Sequence, residues 1–137
     1  MHAEAMMSVH PKVHGEVDPV LTRCIEACID CAQVCRACAD ACLSEEMVAM
    51  LPRCIRLDLD CADLCDATAT ILARRTSSND EVLKHLVDIC AEACRICADE
   101  CARHGAQHAH CKACAETCRA CEQACRDASP AILLPRQ

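Results

Sequence analysis

Eighteen of the 137 residues are cysteine, and they are spaced by a rule. Cys24, Cys28, Cys31, Cys35, Cys38 and Cys42 step by 4, 3, 4, 3 and 4. Cys90, Cys94, Cys97 and Cys101 repeat 4, 3, 4, and Cys111, Cys114, Cys118, Cys121 and Cys125 repeat 3, 4, 3, 4. Cys54, Cys61 and Cys65 obey it once their gaps are filled, because Met47, Leu51, Cys54, Asp58, Cys61, Cys65, Thr68 and Leu72 alternate steps of 4 and 3. That alternation marks one face of an α-helix turned toward a bundle axis. Asp58 then falls on an inward position, where a carboxylate could pair with metal or accept a thiol proton. The competing reading is a bend near Pro52 that rotates it outward.

Inward thiols have few uses. Mere packing is poorly served by cysteine, since Ala, Leu or Val fill space without the oxidation risk. Disulfides need an oxidising compartment and Cβ atoms about 3.8 Å apart, whereas neighbours on one helix stand roughly 5–6 Å apart. A nucleophilic enzyme needs one activated thiol with an orienting base; here the thiols are many and alike, so no enzyme activity is expected. The ferredoxin run of cysteines is absent, and no βαβ pattern surrounds the C-x-x-C pairs. Metal remains, and charge helps to choose it. Zinc on four thiolates leaves −2 per site, whereas one Cu(I) per thiolate leaves a neutral core and is the soft ion that sulfur selects. Two in-line Cu–S bonds of roughly 2.2 Å separate sulfurs by about 4.4 Å, comparable to a C-x-x-x-C pair on one turn. A zinc or general soft-metal buffer is the alternative, and a thiol redox or disulfide-held protein is a third class.

The rest of the composition fits such an interior. There is no Phe, Tyr or Trp, and of the 53 % of residues counted as hydrophobic, 24 are Ala and 18 are Cys. The 26 Ile, Leu and Val residues with a net charge of −7 approach the range of disordered chains, so either the chain does not fold or cysteine lines its core. No stretch of 18 apolar residues exists to span a membrane. The acidic balance and missing aromatics argue against nucleic acid, and two glycines cannot build a Gly-rich phosphate loop. The first residues show neither an apolar signal region nor a twin arginine, so the expected compartment is the reducing cytoplasm, where structural disulfides are rare.

The elements that must position these thiols are four helices. Asp18 before Pro19 reads as an N-cap and first helical position. Ser44 is expected to cap the second bundle helix, with Pro52 breaking or restarting it. Ser78 to Glu81 has capping-box spacing for the third. Gly105 should terminate that helix, and Ser129-Pro130 the fourth. Connections near 43–46, 75–79 and 104–108 are short, which predicts an all-α fold, an antiparallel up-down-up-down four-helix bundle with a Cys-lined core. Residues 18–128 form this bundle domain, flanked by tails at 1–17 and 129–137.

Such a bundle has unlike ends. Met47, Met50, His104, His108 and His110 gather at one, a set of soft and borderline ligands suited to a metal entrance. Leu21, Leu72, Leu83 and Val87 plug the other, with Ile132 and Leu133 nearby. Leu57, Leu64 and Ile71, and likewise Ile89 and Ile96, repeat every seven residues off the Cys face, as flank positions or as a surface for a second subunit. His2, His10 and His14 read as solvated.

On CIEACIDCAQVCRACADAC, CIRLDLDCADLC, CAEACRICADEC and CKACAETCRACEQAC, together with the His cluster before the last, the chain resembles the bacterial four-helix-bundle copper storage proteins in their cytosolic branch. The resemblance spans roughly residues 18 to 128. It implies many Cu(I) ions per chain, a homotetramer, and a role in copper sequestration and detoxification, with a copper chaperone as a further partner. It carries the core-copper role onto the eighteen Cys, and the open-end role onto His110, with His104, His108, Met47 and Met50 after it. Asp58 interrupts the thiol ladder, and its role as a ligand stays open.

Overall fold

The computed structural model describes residues 2–132, and over these the chain is helical, without a strand. A short helix, α1 (His2–Ser8), precedes four long ones: α2 (Pro19–Leu43), α3 (Pro52–Leu72), α4 (Asp80–His104) and α5 (Ala109–Ile132). α2 packs on α3 and α5, and α4 packs on α3 and α5, so the four close into a ring. Cross-contacts descend along one helix as they climb along its neighbour. Cys24 meets Cys125, Cys31 meets Cys118 and Cys38 meets His110 between α2 and α5. Cys54 meets Cys101, Cys61 meets Cys94 and Cys65 meets Cys90 between α3 and α4.

All eighteen Cys are buried, none more than 2 % exposed, and they form the axis of the bundle. Ala32, Ala39, Ala62, Ala91, Ala98, Ala115 and Ala128 are buried beside them. Small side chains at these positions let helices approach closely, as a core without aromatic rings requires. At the end opposite the histidines Leu72, Leu83 and Ile132 line a small cavity with Leu21, while Leu51, also buried, sits at the histidine end just before Cys54. Val87 is fully buried; Leu133 lies outside the described residues. Met7 of α1 is also buried, so the leading segment packs against the core through that residue.

Helix boundaries follow local chemistry, in places not as expected. Asp18 does cap α2, accepting from Val20 N–H at 2.9 Å, with Pro19 at N1 where its missing N–H costs nothing. Ser44 does not start a helix. It closes α2, its N–H donating to Ala41 C=O at 3.0 Å. A 3₁₀ turn over Val48–Met50 follows, and α3 begins at Pro52, because proline fits N1 and holds the preceding Leu51 out of helical geometry. The capping box at Ser78 is not formed either. Ser77 adopts φ +59°, and the first helical bond of α4 falls on Asn79, whose C=O accepts from Leu83 N–H at 2.9 Å. Gly105 ends α4 as expected, at a right-handed φ of −64°.

Ser129-Pro130 does not end α5, which continues to Ile132. Ile132 is buried, and Ser129 Oγ donates to Asp88 Oδ1 at 2.6 Å and takes a bond from Lys84 Nζ. Proline breaks one bond near a helix end, and these contacts hold the last turn regardless.

On the flanks, Leu57 and Ile71 pack partly against the core, and Leu64 and Ile96 are half-buried. Ile89 is exposed, as are Ile29, Leu59 and Val82. No helix among the described residues is long and apolar enough to cross a membrane.

Candidate metal centre

Turn after turn of α2, α4 and α5 presents a thiol inward, and α3 adds Cys54, Cys61 and Cys65 around Asp58, so sulfurs stack in layers along the axis. Within one helix, Cys31 and Cys35 sulfurs lie 3.8 Å apart, and those of Cys61/Cys65, Cys97/Cys101 and Cys114/Cys118 lie 4.0 Å apart. Between helices the separations run from 3.5 Å for Cys35/Cys118 to 3.9 Å for Cys31/Cys61. Four of the eight C-x-x-x-C pairs thus come closer than the in-line separation of about 4.4 Å, while the four-sulfur sets extend to 4.8 Å. Three sulfurs at roughly 2.2 Å from one ion stand about 3.8 Å apart, so this spacing matches trigonal coordination, with in-line binding needing a small side-chain adjustment.

Sets of four sulfurs recur from end to end. Cys28, Cys90, Cys121 and Cys125 form one, Cys31, Cys65, Cys94 and Cys121 the next, and Cys31, Cys35, Cys61 and Cys118 a third, each within 4.8 Å. Cys31 and Cys121 belong to two sets each. Isolated tetrahedral zinc sites cannot all be filled when they share ligands, whereas bridging thiolates are what a multinuclear Cu(I) cluster uses. All eighteen are free thiols.

Asp58 is turned inward and fully buried, against the outward reading. Its Oδ1 accepts from the thiols of Cys97 at 3.1 Å, Cys114 at 3.3 Å and Cys101 at 3.4 Å. Its Oδ2 is buried without a partner, an orphaned hard oxygen among sulfurs. Burial chiefly, and the negative potential of Cys114, push this carboxyl up to about 8.

At the other end of the ladder from the aliphatics, Cys38, Cys42, Cys54 and Cys111 form the last four-sulfur set. Burial raises the Cys42 thiol, with Cys54 and Cys111 adding to it. Cys111 is pushed up to about 11, again by burial first and Cys54 second. Both are thus held protonated and neutral near neutral pH.

His110 touches this set. Its Nδ1 lies 3.4 Å from Cys38 Sγ and 3.6 Å from Cys111 Sγ, while 26 % of its side chain remains exposed, so one ring reaches both water and thiols. His108 and His104 stand one step away. His108 Nδ1 meets Glu45, and His104 Nε2 meets Glu100 Oε2 at 2.8 Å. Met47 and Met50 are 53 % and 65 % exposed and reach the surface of the connection, not the thiols. Met47 thereby leaves the inward series that includes Leu51. His10 Nε2 instead meets Thr76 Oγ1 at 3.2 Å, on the α3–α4 connection, and His2 and His14 are exposed.

Two carboxylates at the histidine end have no signal in the cysteine pattern. Glu100 is 7 % exposed, between Arg53, Arg103 and His104. Glu45 sits in the α2–α3 connection and bonds two histidines. The one clue in the sequence is an acidic pair, Glu45-Glu46, in a link that the bundle brings beside a His-rich one.

The same helical fold is found in solved structures. The structure of a copper storage protein from Streptomyces lividans, loaded with 10 copper equivalents, superposes with a TM-score of 0.89 at 50 % identity, covering 93 % of this chain and 98 % of that one. A cytosolic copper storage protein from the same organism, with five coppers, matches at 54 % identity and TM-score 0.80, over 81 % and 92 %. Apo copper storage protein 3 from Bacillus subtilis matches at 37 % identity and TM-score 0.68, over 79 % and 97 %. No curated sequence matches. The sequence profile described as copper storage protein covers residues 18–130, the span that holds every thiol of the ladder; this chain belongs to the copper storage protein family.

Proposed function

We propose that this chain is a cytosolic Cu(I) store in which residues 18–128 are the metal-holding unit. The carrying observation is the continuous ladder of buried thiols whose four-sulfur sets share ligands. The eighteen Cys hold the ions as thiolates. Asp58 adds an oxygen midway, its unpartnered Oδ2 being free to ligate or to polarise neighbouring thiols. Copper enters at the His110 end, with His104 and His108 behind it and Met47 and Met50 as outer thioether contacts. Soft ligands at the surface and thiolates inside let an ion move inward by ligand exchange without ever being free. A role in copper sequestration is supported by thiolate binding and by the cytosolic relative in Streptomyces lividans, and a cytosolic copper chaperone is proposed as the donor. Exposed Ile29, Leu59, Val82 and Ile89 support assembly into a homotetramer, and storage needs no enzymatic step.

Anaerobic titration of the fully reduced protein with Cu(I) against a competing chelator tests this. The expected endpoint lies near the thiol count. The four-sulfur sets, each within 4.8 Å, favour one second reading, a zinc buffer, and saturation near four metals would establish it instead.

A further inference from the structure

The α2–α3 connection places Glu45 over the entrance. Glu45 Oε2 meets His110 Nε2 at 3.0 Å and also meets His108 Nδ1. The two rings lie 5.7 Å apart with 25° between their planes, so one carboxylate oxygen holds them as a stacked pair. Glu45 is itself fixed by the turn, its N–H donating to Cys42 C=O at 3.2 Å and its C=O accepting from Val48 N–H at 3.2 Å. Cys42 belongs to the entrance thiol set, so a single turn carries a thiol and the clamp for both imidazoles.

An ionised carboxylate only accepts hydrogen bonds. The imidazole nitrogens facing Glu45 must therefore carry hydrogen: Nε2 of His110 and Nδ1 of His108. The free lone pairs are then on His110 Nδ1, which faces Cys38 and Cys111, and on His108 Nε2. Without Glu45 the other His110 tautomer, with hydrogen toward the sulfurs, would block the nitrogen that has to bind copper. We propose that Glu45 is a positioning residue for copper entry, fixing the tautomer and orientation of His108 and His110 so that they pass a soft monovalent cation to Cys38 and Cys111. Carboxylate partners of ligating histidines act in this way generally, and their loss typically costs 10–100-fold. This inference rests on the store reading above and names a residue that the reading did not need.

The test uses the reduced full-length protein and Cu(I) supplied from a chelator. Glu45→Ala should slow uptake of the first equivalents by about tenfold or more, with Glu45→Gln between it and the unmodified protein, since an amide oxygen still accepts. Glu46→Ala, the exposed neighbouring carboxylate, should load at the normal rate. In the metal-free protein, ¹⁵N imidazole shifts should report His108 as the Nδ1–H form, the one a free neutral imidazole disfavours, and that preference should vanish in Glu45→Ala. Normal uptake by Glu45→Ala, or equal slowing by Glu46→Ala, overturns the proposal, the second result assigning the effect to net charge. An unchanged tautomer in Glu45→Ala overturns it as well. Failure of the store reading would show separately, as a low copper capacity in the unmodified protein.

Discussion

The Cys97 thiol donates to Asp58 Oδ1 across 3.1 Å in the interior of the bundle. A buried carboxyl is thus tied to the neighbouring helix α4, and two more thiols, Cys101 of α4 and Cys114 of α5, converge on the same oxygen. Burial, which the Cys97 bond only partly opposes, makes Asp58 a pH-dependent element of the metal-free protein.

Burial raises the Asp58 carboxyl to about 8, whereas an unfolded aspartate titrates near 3.9. The folded state therefore binds this proton more tightly, and its stability falls as pH rises from about 4 to about 8. Asp58→Asn removes that penalty. The metal-free variant should gain stability relative to the unmodified protein above pH 8, by on the order of 5 kcal/mol at most, and show no gain below pH 4. Anaerobic urea unfolding across this range checks the prediction.

Copper loading should release protons. Cys42 is raised by burial and Cys111 is pushed up to about 11, so these two entrance thiols are protonated at pH 7 and must lose their protons to bind, whereas hydrogen bonds from Cys101 and Cys38 hold Cys54 down to about 3. About one proton per Cu(I) is expected in a weakly buffered titration. Apparent affinity should weaken as pH falls, and the loaded protein should melt higher than the metal-free one.

Among the histidines, His110 alone reaches the sulfurs. His110→Ala should slow copper uptake nearly as much as the His104/His108/His110 triple alanine variant. Final capacity should fall by about one ion or less in either, because the thiols hold the cargo. Stopped-flow loading and an endpoint titration separate the two quantities.

The plug is testable without metal. Leu72 is fully buried at the aliphatic end, and Leu72→Ala should lower stability by about 2–5 kcal/mol. The number of coppers held at saturation should not change.

Most of the ladder is legible in the sequence because burial on a helix has a fixed period. Asp58 can be placed inward by counting from Cys54 and Cys61, with no knowledge of its partners. Asp18 reads as a cap because Pro19 permits one geometry. Ser44, Ser78 and Pro130 mislead for a common reason: each has a local preference that a neighbour outweighs. Pro52 fixes where α3 begins, left-handed Ser77 moves the start of α4, and burial of Ile132 carries α5 past its proline. Met47 keeps the spacing but lacks the helix that gives spacing its meaning. Glu45 is invisible because its partners are more than sixty residues away in sequence, and no periodicity links a turn to the helix end opposite.

The aliphatic cap of Leu72, Leu83 and Ile132 gives the tube a history. With the proposed entrance at His110 as the one working mouth, an ion that has moved deep would leave only after those nearer the opening, and copper would depart in reverse order of arrival. The molecule then behaves as a stack and not as a queue: recent cargo near His110 is quickly withdrawn, and the oldest, beside Cys24 and Cys125, forms a reserve reached only in prolonged scarcity.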